Sequence, residues 1–316
     1  MSTDFLPGDL PFKAERVNHD ILRALTSKVE ALRVESKETV APVIVSLEQH
    51  TRLLVRLFAS ADPFYYHELG RLAAETAWLT ANAHADNSAD HQALRWAKLS
   101  ARVARETGDE DLRAHAISRM SRTYLDLEQP DEALSVLERV SYGSLTPYGV
   151  SRIEVHRALA LTKLRSDTVR NRTKEALDAL ERTGVALLDT APRLYPRPPW
   201  VWWVDDEGFI RSWEAEVLRS LVVPSIAVPV FRDAVSFASI EDHRERPFLQ
   251  AGLADVLEQG GVVDEAADEA IRAVILARAV KADAAFSRIK RLFARLSSRA
   301  SGNSYVRALG NALHDL

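Results

Sequence analysis

Cysteine is absent from the sequence. Its absence excludes disulfides, thiol catalysis and thiolate metal sites, and it fits a reducing, cytoplasmic setting. An excess of basic charge is missing too: 41 Lys and Arg stand against 45 Asp and Glu, for a formal net charge of -4. A surface that binds DNA on its own needs a dense basic face to neutralise phosphates, so this balance argues against nucleic acid as a partner. No apolar run is long enough to span a bilayer; the longest such segment, Leu221 to Phe231, is short and carries Pro224 and Pro229. The opening MSTDFLPGDLPF is acidic and proline-interrupted, without the basic flank and apolar stretch of a signal peptide. The signatures of zinc metalloproteases, hydrolase nucleophile elbows, P-loops and dinucleotide folds are missing as well. These absences leave a chain expected to be non-enzymatic, without a cofactor and away from membranes.

What the sequence does hold is apolar content of 47%, ample for a continuous core, and much of it recurs at helical spacing. In Ala114 to Leu127 the residues Ala116, Ile117, Met120, Tyr124 and Leu127 follow steps of three and four, which places them on one helix face. Gln129-Pro130-Asp131 then breaks the helix and opens another, since proline lacks an amide donor and suits a first helical turn. Ala133, Leu134, Leu137 and Val140 form the second stripe. A small residue at Ala133 opposite the compact Ser121 lets two antiparallel helices approach closely, with Tyr124 and Leu137 filling the wider space beside them. This pattern resembles a tetratricopeptide (TPR) repeat, with its small residue eighth in the first helix, an aromatic three later and alanine near position twenty.

The same grammar recurs around the marker alanines Ala93, Ala133, Ala176, Ala227 and Ala266. Their intervals of about 40 to 50 residues exceed the roughly 34 of an ideal unit, so the repeats are degenerate and their loops lengthened. The fold expected from this resemblance is all-α: a TPR-like right-handed superhelix of antiparallel helix pairs with N- and C-terminal capping helices. Residues 1–60 read as an arm and a helical cap. Ile21, Leu25, Val29 and Leu32 there form a narrow stripe that either covers the end of the array or makes a homodimer seam. Residues 61–190 and 191–316 read as two sub-arrays, divided by the proline-rich PRLYPRPP of Pro192 to Pro199. Helix pairs are expected near 64–84 and 90–106, 111–127 and 131–140, 148–165 and 172–187, and the chain closes with two amphipathic capping helices, 287–297 and 305–316.

Two clusters hold residues of catalytic type. HADNSADH, His84 to His91, contains histidines and aspartates that can ligate divalent metals. It sits where the repeat needs an inter-helix loop, however, and lacks the glycine and bidentate glutamate of a calcium loop, so it reads as turn and cap residues. Asp205-Asp206-Glu207 could pair carboxylates for acid–base work near Trp200, but acids at a helix start ordinarily favour the helix dipole. An enzyme or biosynthetic accessory with its site near Trp200 to Glu207 is one alternative reading.

Longer stretches carry a second resemblance: ALRWAKLSARVARETGDEDLRAHAISRMS, PDEAL, PPWVWWVDDEGF and RPFLQAGLADVLEQGGVVDEA. Together, over about residues 64–316, they resemble the TPR-containing sensor region of actinobacterial helix-turn-helix transcriptional regulators. That resemblance implies a regulatory sensor or adaptor that binds a peptide, a partner protein or a small-molecule effector in a concave groove. The first 60 residues contain no recognisable helix-turn-helix, so a DNA-binding regulator with a degenerate N-terminal domain is the other alternative. In TPR arrays the first helix of each pair lines the groove. Carried over position by position, the implied ligand-binding residues are Arg71, Trp78 and Asn82, then His115, Arg119 and Arg122, then Arg152, Lys163 and Glu216, with Trp202 and Trp203 as an aromatic wall. The groove so drawn is dipolar, basic in its N-terminal half and acidic at Glu216, Asp255 and Glu258.

Overall fold

The computed structural model describes residues 17–38, 41–164, 169–190, 198, 201, 206–238 and 245–314. These residues form fourteen α-helices and no strand. In chain order they are α1 (His19–Glu38), α2 (Ala41–Ala59), α3 (Pro63–Asp86), α4 (Asp90–Thr107), α5 (Glu110–Asp126), α6 (Pro130–Glu138) and α7 (Pro147–Lys163). There follow α8 (Val169–Gly184), which runs on as a π-turn over Val185–Thr190, then α9 (Asp206–Ser220), α10 (Pro224–Phe237), α11 (Arg246–Gln259), α12 (Val263–Val280), α13 (Asp283–Ala300) and α14 (Ser304–His314).

Local chemistry sets these boundaries. Proline occupies the first turn of α3, α6, α7, α10 and α11, where its missing amide costs nothing. The Asp62 carboxylate accepts from the Phe64 amide, and Asp109 accepts from Leu112, capping α3 and α5. Helix α4 stops at Gly108, whose φ of 73° suits a residue without a side chain.

The helices pack as two layers. Members α3, α5, α7, α9 and α11 each touch the next in that series, while α4, α6, α8, α10 and α12 lie against them on the other side. The series continues to α13, which rests on α11 and also reaches back to α3. The inner helices thus form a closed succession, and their burial shows it. Between Leu69 and Asp86 of α3 only Arg71 escapes full burial, and α7 and α11 are enclosed almost as completely, whereas α4, α12 and α13 bury a single stripe. The five marker alanines are all fully buried at helix contacts. Close approach is also enforced by glycine: a Cβ on Gly70 would lie 2.1 Å from the Thr107 methyl, and one on Gly252 would lie 2.4 Å from the Phe231 ring.

Apolar side chains collect in two large clusters, one drawn from Leu25 to Val217 and the other from Ala215 to Leu309. The stripe of the first helix is used within the chain. Leu25, Val29 and Leu32 are buried as α1 packs on α2 and α3, so these side chains are not offered as a seam to a second copy. No helix among the described residues is long and apolar enough to cross a membrane.

Candidate ligand-binding site at the centre of the inner helices

The polar side chains of α5, α7, α9, α11 and α13 meet on the inner side of the closed succession. On α5, Arg119 and Arg122 donate to the same carboxylate, Asp126, at 3.5 and 3.3 Å. One helix on, Arg152 of α7 is buried, with its guanidinium 5.4 Å from the centre of the Phe209 ring of α9. Its backbone carbonyl accepts from Ser118 Oγ at 3.2 Å, tying α7 to α5. Burial lowers the Arg152 pKa; Glu245 raises it, and the neighbouring Arg119 lowers it again. A guanidinium does not shed its proton under ordinary conditions, so Arg152 stays charged in this buried setting.

Two histidines flank the arginine. His115 lies 5.7 Å from Trp78, edge to face, and His156, one turn after Arg152, has its ring 4.4 Å from that of Trp213. Burial first, and then the positive charge of Arg152, hold both well below the ordinary histidine pKa, so both rings are neutral at pH 7. At the end of α7 the exposed Lys163 has no ion-pair partner among the described residues. Its pKa is lowered by burial of part of the chain and by Arg219, then partly restored by Glu216, while Arg122 and Arg288 push it down further.

Across from these cations the acidic residues are already engaged. Glu216 accepts from Arg219 at 2.8 Å and from Arg288 at 2.9 Å. Asp255 accepts from Arg288 at 2.9 Å and Arg295 at 2.7 Å, and Glu258 from Arg295 at 3.1 Å and from Arg299. The acidic half expected to face a ligand is therefore corrected: α13 packs on α11 and lays three arginines over those carboxylates. Burial alone would raise the Glu216 pKa, but Arg219, Arg288 and Arg122 hold it well below the usual carboxylate range.

Other predicted residues have separate places. Trp78 is a core side chain, 2% exposed among Leu32, Val43, Leu47, Leu79 and Ala83, and is no groove wall. Arg71 donates to Glu68 at 2.5 Å and Glu75 at 3.2 Å; Glu75 also receives Arg33 of α1. Asn82 is buried, and its Nδ2 has no hydrogen-bond partner among the described residues. Trp202 and Trp203 lie outside the described residues, as does Asp205. His84 of the HADNSADH cluster is 2.9 Å from Glu48, and no group of three or more acidic or histidine side chains among the described residues is placed to hold a metal.

Residue-by-residue carry-over missed His156, Trp213 and the arginines of α13. A signal existed for the arginines: Arg288, Arg295 and Arg299 share one face of a strongly amphipathic helix. His156 could have been found as the residue one turn beyond Arg152. Compared with known proteins, the chain matches no family model, and no curated protein is significantly similar to it.

Proposed function

We propose that the protein is a non-enzymatic, TPR-like binding protein, a regulatory sensor or adaptor, whose ligand is an anion held by Arg119, Arg122, Arg152 and Lys163. The observation that carries this reading is Lys163, which lacks an ion pair among the described residues and is crowded by Arg219, Arg122 and Arg288. Clustered cations beside an apolar and aromatic wall suit a carboxylate-bearing peptide or effector, because guanidinium forks grip a carboxylate with two parallel hydrogen bonds. An anion that touches α5, α7 and α9 together favours the closed succession of inner helices over an opened one. That difference in affinity is what a sensor needs to alter the surface shown to a partner.

Native mass spectrometry of the protein purified from its own cells, before and after denaturation, tests the reading. The expected result is a co-purifying acidic small molecule or peptide that is lost from a double variant, Arg122→Glu with Lys163→Glu, of unchanged helicity. Retention of the same ligand by that variant overturns the site. A protein that carries no anion from its host and none after incubation with acidic metabolite extract overturns the reading itself.

A further inference from the structure

A second site lies away from the central cations. Helices α10, α11 and α12 leave an open cavity of about 500 Å³ between them, a size in the ordinary range for small-molecule sites. Its apolar lining comes from one helix each: Val235 of α10, Leu253 of α11 and Leu276 of α12, with the exposed Ile275 at the rim. Around these stand three guanidinium groups, Arg232, Arg246 and Arg272, contributed by the same three helices.

The charges at this cavity are unequally satisfied. Arg232 is paired with Glu265 across α10 and α12. Arg272 donates to Asp268 at 2.9 Å and to Glu269 at 3.3 Å along its own helix. Glu269, the acidic residue in the lining, is further engaged by the buried Gln250. Arg246, in the first turn of α11, has no ion pair among the described residues, and its Nε is buried without a hydrogen-bond partner. An apolar lining with a single uncommitted guanidinium at its edge is complementary to a molecule with one anionic group and a hydrocarbon or aromatic body. The body displaces water from Val235, Leu253 and Leu276, a gain that grows with the apolar area covered. The anionic group pairs with the Arg246 guanidinium, which lines the cavity and has no ion pair among the described residues.

We propose that this cavity binds a small amphipathic carboxylate, its carboxylate on Arg246 and its apolar body against Val235, Leu253 and Leu276. The site is independent of the central cluster, and neither assignment depends on the other. Neutral amphiphiles lose the guanidinium contact. Cationic ones meet Arg246, unpaired among the described residues, so the sign of the head group sets specificity.

Decanoate is the probe, with 1-decanol and decyltrimethylammonium as its neutral and cationic counterparts, measured by isothermal titration and by the carboxyl 13C shift of labelled decanoate. Saturable one-to-one binding of decanoate is expected with a Kd on the order of 0.1 mM, weakened about 10-fold or more by Arg246→Gln. Ile275→Glu, at an exposed rim position where folding is not at stake, should weaken decanoate through repulsion and leave 1-decanol nearly unchanged. The proposal is overturned by absence of saturable binding up to about 1 mM, by undiminished affinity in a folded Arg246→Gln protein, or by equal affinity for all three head groups. Loss of decanoate on Lys163→Glu with retention in Arg246→Gln would move the ligand to the central cluster and also overturn it.

Discussion

The two ends of the inner helical layer solve the same electrostatic problem differently. Around α11 and α13 each buried carboxylate meets more than one arginine: Asp255 receives Arg219, Arg288 and Arg295, and Glu258 receives Arg295 and Arg299. Around α5 and α7, Arg119 and Arg122 divide Asp126, and Lys163 has no acid of its own among the described residues. The first arrangement is complete without a ligand; the second leaves the Lys163 charge without an ion pair among the described residues. Position in the layer accounts for the difference. Helix α13 brings arginines to the acids of α9 and α11, whereas no ion pair among the described residues reaches Lys163 at the end of α7.

The largest effect should come from breaking the completed end. Asp255→Asn leaves arginines uncompensated in a buried setting and should cost about 3–5 kcal/mol, read as a lower urea midpoint. An unchanged midpoint would mean that this network contributes nothing and would erase the contrast. Acid should separate the two ends next. The Glu216 carboxyl is depressed, so its contribution to stability is present above the ordinary glutamate pKa and is lost as pH falls toward the folded value. Asp109 and Asp111 at the start of α5 are shifted the other way by burial, with Asp109 partly restored by the Leu112 amide and Asp111 by hydrogen bonds from Thr146. Their folded forms take up protons more readily than the unfolded chain, so acidification through the usual carboxylate range favours them folded. Hydrogen exchange between pH 6 and pH 3 should therefore show α9, α11 and α13 losing protection before α5; the reverse order contradicts the assignment. The smallest effect is at the other end, where Lys163→Gln should leave stability unchanged or raise it by up to about 1 kcal/mol while weakening binding of the proposed anion. A clear destabilisation there would show that Lys163 already has a stabilising partner.

Helix positions are legible in the sequence because each is written locally. Pro130 opens α6, Asp109 caps α5, Gly108 ends α4, and the alternation of apolar steps carries the segments between them. The marker alanines likewise announce close helix contacts. Exposure of the inner face is not local. Trp78 occupies a position that a repeat pattern assigns to a groove, yet it is covered because α1 and α2 pack over α3. Glu216 and Asp255 have the right types for ligand contacts, but their partners Arg288 and Arg295 arrive from a helix far along the chain. A pattern read one repeat at a time contains no information about which distant helix will close over it.

The contact between α13 and α3 changes how the molecule loses structure. In an open stack each unit leans only on its neighbours, and the terminal units fray independently of the middle. When the last inner helix also rests on the first, the stack has no free inner end from which unravelling can begin. Release of α13 then exposes α3 and uncovers the acids of α9 and α11 in one event. Cooperativity in this chain follows the closure of the layer rather than the number of its helices.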